Sequence, residues 1–248
     1  MKIISKPSPN YDDRTLPITL IVLHYTGMET GEAALERMTD ASAKVSAHYM
    51  VEEDGRIFQL VEEDKRAWHA GVSEWRGETN INSASIGIEI VNGGHDWPLK
   101  DGTLPPFPDV QIAALIPLCK AIMSRHHISA DGVVGHSDIA PARKQDPGEH
   151  FPWAGLSAAA IGRFPLSIEP DRRVLFGAGS RDRGVAIVQR GLAEIGYSAR
   201  VTGVIDEETR LVVAAFQRRY RPAQIDGMVD METMAIVRWL VEGPDEMA

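Results

Sequence analysis

Cysteine, long apolar runs and an excess of positive charge are what this sequence lacks. With one cysteine, Cys119, among 248 residues, the chain cannot form an internal disulfide. No apolar run reaches the roughly 20 residues that a membrane-spanning helix needs, so we expect no membrane insertion. The formal net charge of -9 disfavours nucleic acid as a partner, because that partner requires clusters of basic side chains. These absences favour a globular enzyme or binding protein.

The N-terminal segment lacks the features of an export signal. Its first ten residues read MKIISKPSPN, which contain neither an apolar core of signal-peptide length nor a small-residue cleavage site. A cysteine of the lipoprotein kind is also missing from this segment. We therefore expect a cytoplasmic protein, or a periplasmic or envelope protein if an export segment has been trimmed from it.

Apolar periodicity predicts an α/β fold for the first part of the chain, a mixed β-sheet flanked by helices. A strand is expected at residues 18–24, and the Asp-Gly pair at 54–55 between two apolar runs predicts a β-hairpin. Asp109 is expected to cap a long helix. The apolar stripe of this helix includes Cys119, which makes the cysteine a core residue rather than a nucleophile. We assign residues 1–160 to this domain.

A change in composition marks a second, smaller domain. Residues 161–180 are predicted to be a linker because they contain glycine, proline and charged residues without an apolar period. Beyond them a segment is repeated: Gly203–Thr209 reads GVIDEET and Gly227–Thr233 reads GMVDMET. In each copy, Asp followed by an acidic first turn is typical of a helix N-terminus. We predict a three-helix domain at residues 181–248.

Two histidines at strand ends and one loop carboxylate are the candidate chemical centre of the first domain. His24 ends the apolar run 20–23, and His136 follows the short run 133–134. Asp146 lies in the polar loop after His136, a kind of segment in which binding and catalytic residues concentrate. His136 and Asp146 alone are compatible with a hydrogen-bonded pair that braces the loop. The additional histidine favours three N/O ligands, the set that catalytic zinc uses while a fourth position is left for water.

Five segments occur in a fixed order over the first two-thirds of the chain: IVLHYT at 21–26, AHY at 47–49, AWHAG at 67–71, SIGIE at 85–89 and GHSDIAPARKQDPG at 135–148. Together they resemble the zinc-dependent N-acetylmuramoyl-L-alanine amidases of the type 2 amidase family, which also resembles the peptidoglycan recognition proteins. The repeated helical segment near the C-terminus resembles the three-helix peptidoglycan-binding domain that accompanies many wall hydrolases. The resemblance therefore covers both predicted domains.

This resemblance implies a role for each matching residue. His24, His136 and Asp146 are expected to hold one zinc ion per chain. Glu89 matches the catalytic glutamate and is expected to act as the general base, although its strand position alone favours an outward, solvated residue. Lys144 is expected to stabilise the oxyanion beside the metal, whereas a loop lysine is ordinarily a surface charge.

Four further residues are candidates for substrate contacts. His69 matches a family histidine near the cleft, and the alternative is a core histidine that holds a loop. Tyr25, next to His24, is expected to line the cleft. Trp75 and Asn92 lie in loops and are also predicted to contact the substrate.

The function implied by the resemblance is hydrolysis of the amide bond between the lactyl group of N-acetylmuramic acid and L-alanine of the stem peptide. Peptidoglycan fragments or glycan strands are the expected ligands, and no obligate protein partner is expected. The missing export signal favours soluble anhydro-muropeptides and wall recycling, whereas the C-terminal domain favours polymeric wall. Two alternatives remain: a non-catalytic peptidoglycan-binding protein, and an exported or phage-type wall-lytic amidase.

Overall fold

Short apolar runs build the first domain around a mixed sheet in the computed structural model, which describes residues 2–243. The described part of this domain contains eight strands: β1 Ile3–Ser5, β2 Tyr11–Asp13, β3 Leu20–Tyr25, β4 Tyr49–Val51, β5 Ile57–Gln59, β6 Lys65–Ala67, β7 Ser85–Ile90 and β8 Val133–Gly135. Six of them form one sheet in the order β1-β5-β4-β7-β3-β8, in which only the predicted hairpin, β4 with β5, is antiparallel. The remaining two, β2 and β6, pair as a separate ribbon.

Five α-helices accompany these strands in the described part of the domain: α1 Gly31–Thr39, α2 Ile81–Ala84, α3 Asp109–His126, α4 His136–Ile139 and α5 Trp153–Ala158. Helix α3 packs on one face of the sheet, where Leu115 and Ile122 meet Ile86 and Ile88 in a single apolar cluster. Cys119 is fully buried in the same cluster, as predicted for a core residue. Asp109 is the first helical residue rather than the cap, because Pro108 occupies the N-cap position.

Strand alternation places the polar residues of β3 and β7 on the opposite face. The two strands are parallel, and their register pairs His24 with Glu89 and Val22 with Gly87. Because successive side chains point to opposite faces of a sheet, His24, Gly87 and Glu89 share the face away from α3. This face carries the candidate functional site.

The second domain contains the predicted helices α6 Arg183–Ile195, α7 Glu207–Tyr220 and α8 Met231–Glu242. The repeated aspartates cap two of them: Asp206 accepts a hydrogen bond from the Thr209 N–H at 2.8 Å, and Asp230 accepts one from the Thr233 N–H at 2.8 Å. The predicted linker at 161–180 is not wholly irregular. It contains strand β9, Val174–Phe176, which pairs with β10, Val229–Asp230, and so adds to the second domain.

The two domains share a continuous apolar core. Trp75 of the first domain is 3% exposed and packs edge-on against Tyr197 of the second, with ring centroids 5.0 Å apart. Leu20 and Val22 of β3 belong to the same cluster as Val212 and Phe216 of α7. Within residues 2–243, no helix combines the length and apolar character that a membrane span requires.

Candidate metal centre and cleft

Three donor atoms converge at the carboxyl end of the central strands. His24 is the second-last residue of β3, His136 begins α4 directly after β8, and Asp146 lies on the following loop. The Nδ1 atoms of His24 and His136 are 2.9 Å apart, and Oδ2 of Asp146 lies 3.0 Å and 2.9 Å from them. All three side chains are buried. The structure thus brings His24 next to two residues that lie more than 100 positions away in sequence.

This donor set fits a zinc ion. Ligand atoms of a tetrahedral zinc site with about 2.0–2.1 Å bonds are separated by about 3.3 Å, close to the separations seen here. Burial and the neighbouring His136 lower the pKa of His24 to about 4, so its imidazole is neutral near pH 7. Burial acts to raise the pKa of Asp146, yet His136 and His24 hold it well below its usual range. A neutral imidazole and a carboxylate are the forms that bind metals.

The far nitrogen of each histidine has a fixed partner. Nε2 of His136 lies 3.0 Å from the Ala70 carbonyl oxygen, to which it donates when Nδ1 faces a metal. Nε2 of His24 correspondingly donates to Nδ1 of His69 at 3.1 Å. His69 in turn reaches Ser85 Oγ through its Nε2 at 3.2 Å. Because a carbonyl oxygen can only accept, the Ala70 contact fixes His136 in the tautomer that leaves Nδ1 free, and the His69 contact is compatible with the same tautomer of His24.

Gly87 makes the room for His69. A Cβ atom at this position would lie 2.4 Å from the His69 ring, a separation that real Cβ atoms do not show. The Gly87 N–H donates to Nδ1 of His48 at 3.0 Å, which ties the buried His48 into the same layer. His69 therefore lines the cleft, as the first of the two alternatives expected, and its ring also contacts His24, one of the three converging donors.

Glu89 and Lys144 face the same cleft as the three donors. The Oε2 atom of Glu89 is buried and has no hydrogen-bond partner among the described residues. Burial, and then the charge of Asp146, raise the pKa of Glu89 well above its usual range, while Lys144 acts in the opposite sense. A carboxylate of raised pKa beside the metal ligands is suited to take a proton from water.

The cleft has a volume of about 360 Å³ and is open to solvent on one side. Tyr25 lines it, and its hydroxyl lies 3.0 Å from Nδ1 of His95. His95 is held in turn by Glu149, whose Oε1 lies 3.2 Å from the His95 Nε2. Trp68 and Met28 add apolar surface to the walls. The cleft therefore combines polar groups at its base with apolar walls that suit an organic ligand.

Two predicted substrate contacts lie elsewhere. Trp75 is not part of the cleft, because it fills the interface with Tyr197 of the second domain. Asn92 is 2% exposed, and its amide donates to the Pro105 carbonyl at 2.9 Å while its oxygen accepts from the Gly94 N–H. Asn92 thus braces the loop behind the cleft. Both residues stabilise the structure around the site instead of reaching into it.

Two residues near the centre were not identified from the sequence. Arg143 donates to the Ala70 carbonyl at 2.7 Å, the same oxygen that lies within hydrogen-bond distance of His136. Asp138 is fully buried two residues after His136. Both lie within the GHSDIAPARKQDPG segment, so the motif was visible, but their partners are distant in sequence and gave no local signal.

Comparison with known proteins finds a family match for each of the two domains. The sequence model of the N-acetylmuramoyl-L-alanine amidase family matches residues 14–149, and that of a peptidoglycan-binding domain matches residues 181–237. The chain is 40% identical over 238 residues to the N-acetylmuramoyl-L-alanine amidase AmiD of Escherichia coli, an alignment that covers 91% of this chain and 83% of AmiD. It is 39% identical to the E. coli 1,6-anhydro-N-acetylmuramyl-L-alanine amidase AmpD, which aligns with 60% of this chain and 86% of its own length.

Solved structures give the same relationship in three dimensions. E. coli AmiD, in complex with the substrate anhydro-N-acetylmuramic acid-L-Ala-D-γ-Glu-L-Lys, superposes with a TM-score of 0.79 at 38% identity, over 92% of this chain and 90% of that chain. AmpDh3 of Pseudomonas aeruginosa, in complex with anhydromuramic pentapeptide, superposes with a TM-score of 0.74 at 35% identity, over 96% and 95% of the two chains. From its family match over more than half its length, and from relatives that align with most of its sequence, the chain belongs to the N-acetylmuramoyl-L-alanine amidase family.

Proposed function

We propose that this chain is a zinc-dependent hydrolase that cleaves the amide bond between the lactyl group of N-acetylmuramic acid and L-alanine. The observation that carries the proposal is the convergence of His24, His136 and Asp146 at one end of a cleft that Glu89 and Lys144 also line. Such a set provides metal ligands, a base and a cation within one cavity. A protein that only bound peptidoglycan would need none of them together.

The chain's own residues supply the proton transfer and part of the charge stabilisation. When bound, zinc supplies Lewis-acid polarisation of a carbonyl and lowers the pKa of water at the site. Glu89 accepts the proton of the attacking water and then delivers it to the leaving amine of L-alanine. Lys144 stabilises the negative charge that develops on the carbonyl oxygen. His69 and Ala70 keep the ligand imidazoles oriented throughout.

We propose anhydromuramyl peptides as the substrate class. AmiD and AmpDh3 were each solved with an anhydromuramyl peptide, and both superpose on this chain over nearly its full length. The cleft also contains Arg37 and Arg143, whose positive charges match the carboxylates of a stem peptide. Cytoplasmic recycling stays a prediction. If the protein instead meets polymeric wall, the second domain is the part that would contact the glycan strand.

The test is a cleavage assay on two substrates. The purified protein is incubated separately with soluble anhydromuramyl tripeptide and with intact sacculi, and the released peptide is identified by mass spectrometry. Each reaction is repeated with a zinc chelator and again after zinc is restored. The Asp146→Asn variant serves as the ligand-deficient enzyme, and Asp54→Asn, on an exposed hairpin turn, serves as the matched control.

Chelator-sensitive release of peptide from the soluble compound, restored by zinc and lost in D146N but not in D54N, is the expected result. Comparable release from sacculi would assign the enzyme to wall hydrolysis rather than recycling. Absence of cleavage in both arms at full zinc loading would overturn the proposal in favour of a non-catalytic binding protein.

A further inference from the structure

The second domain contacts the turn that carries His136 through one buried carboxylate, that of Asp138. Asp138, which is fully buried, accepts a hydrogen bond from the Tyr197 hydroxyl at 2.6 Å and another from the Arg219 guanidinium at 2.6 Å. Tyr197 follows α6 and Arg219 lies in the last turn of α7, so both partners come from the second domain. The same Asp138 carboxylate accepts the Gly135 N–H at 2.8 Å.

These contacts enclose the metal-ligand histidine. Gly135 immediately precedes His136, and Asp138 follows it in the single turn of α4. Arg219 also donates to the Val133 carbonyl at 3.0 Å, on the strand that leads into this turn. The backbone is therefore held before and after His136, and two of the groups that hold it belong to the second domain.

Burial makes the arrangement costly to disturb. Arg219 is 4% exposed and Tyr197 is 2% exposed, so bulk water cannot take over the hydrogen bonds that they donate to Asp138. A buried carboxylate that loses a charged partner retains the cost of leaving water without the compensating interaction. The least costly response is movement of Asp138 and of the α4 turn that carries His136.

We propose that Tyr197 and Arg219 are positioning residues for the amidase reaction: by holding Asp138, they fix the turn that presents His136 to the metal. The proposal rests on the zinc centre proposed above and goes beyond it, because it makes the second domain part of the catalytic unit. A domain that only anchored the enzyme to the wall would have no effect on metal affinity. Here its removal or loosening is expected to weaken metal binding even with a small soluble substrate.

The test measures zinc affinity in the full-length protein by competition with a chelator of known affinity. Tyr197→Phe removes one hydroxyl while keeping the ring that packs on Trp75, and Arg219→Lys keeps the charge but loses the second donor. Arg210→Gln is the matched control, since Arg210 lies on the exposed face of the same helix and pairs only with Glu207 among the residues described. The thermal midpoint of the zinc-free protein is measured for every variant.

By comparison with the roughly 10- to 100-fold effect of losing a direct outer-shell partner, we expect Y197F and R219K to weaken zinc binding by about 3- to 10-fold. R219Q should weaken it further than R219K, and R210Q should leave it unchanged. If R219Q does not fold, the zinc affinities of Y197F and R219K still test the proposal, because these two substitutions change few atoms. Zinc affinities of both within twofold of wild type would overturn the proposal, even if the thermal midpoint falls. A wild-type protein that binds no zinc would instead overturn the zinc centre itself.

Discussion

Replacement of Glu89 by glutamine should separate catalysis from stability. The amide has nearly the volume of the carboxylate but cannot accept the proton of the attacking water. General-base catalysis contributes about 10²- to 10⁴-fold to a rate, so kcat of E89Q should fall by that factor, equivalent to about 3–5 kcal/mol. Zinc content should stay at one per chain, because Glu89 is not among the three converging donors.

The stability of the same variant should move in the other direction. Burial raises the pKa of Glu89 well above its usual range, which means that the folded, zinc-free protein disfavours the ionised form. Its Oε2 also lacks a hydrogen-bond partner among the described residues. A neutral amide reduces this cost, so zinc-free E89Q should be about 1 kcal/mol more stable near pH 7, with Tm about 2–4 °C higher.

The assay compares wild type, E89Q and Glu53→Gln, whose side chain is exposed on the β4–β5 hairpin. Turnover of anhydromuramyl tripeptide is measured at saturating zinc, together with zinc content and the thermal midpoint of the chelated proteins. E53Q should match wild type in all three. Retention by E89Q of more than about a tenth of wild-type kcat would refute the role of general base. Loss of zinc from E89Q would place Glu89 among the metal-holding residues instead.

Three further predictions follow from the same structure. Replacement of His69 by alanine should weaken zinc binding by about 10- to 100-fold in chelator competition, because His24 loses its outer partner. Gly87→Ala should lower the free energy of unfolding by about 1–3 kcal/mol in urea titrations, because the new Cβ meets the His69 ring. Burial acts to raise the pKa of Glu63, but hydrogen bonds from the end of α3 and from Tyr49 lower it to about 2. Glu63→Gln should therefore cost about 2 kcal/mol above pH 5, and the difference from wild type should vanish as the pH falls towards 2.

The His69 and Gly87 variants each have a control within the chain. His127→Asn changes an exposed histidine at the end of α3, and Gly155→Ala adds a Cβ where nothing lies within 4 Å. Neither should alter zinc affinity or lower stability. Zinc affinity of H69A equal to wild type would contradict the support that His69 gives to His24. Unfolding of G87A at the wild-type urea midpoint would contradict the close packing of His69 on Gly87. A stability difference between E63Q and wild type that does not change with pH would show that the ionised form of Glu63 does not stabilise the fold.

The sequence predicted the elements that local patterns specify. The apolar run before His24 predicts a strand, and β3 forms there. The Asp-Gly pair predicts a hairpin turn, and β4 and β5 pair as the two strands of that hairpin. The GVIDEET and GMVDMET segments specify N-caps by short-range hydrogen bonds, and both caps form. In these places the physical cause lies within a few residues of its effect.

What the sequence did not predict depends on contacts between distant segments. Trp75 was predicted to lie in a loop and to contact the substrate. Only the packing of α6 and α7 against the sheet shows that it belongs to the interface between the two domains. Asp138 lies in the polar segment after His136, and its partners Tyr197 and Arg219 are 59 and 81 positions away. Strand β9 is too short and too exposed to leave an apolar period in the segment predicted as a linker. No periodicity or cap encodes such pairings.

Anomalous diffraction from crystals of the zinc-loaded protein, with data collected on both sides of the zinc absorption edge, tests the proposed metal centre. We expect one zinc peak per chain, about 2.0–2.2 Å from Nδ1 of His24, Nδ1 of His136 and Oδ2 of Asp146. A peak bounded by other residues, or a zinc-saturated crystal with no peak among these three atoms, would contradict it.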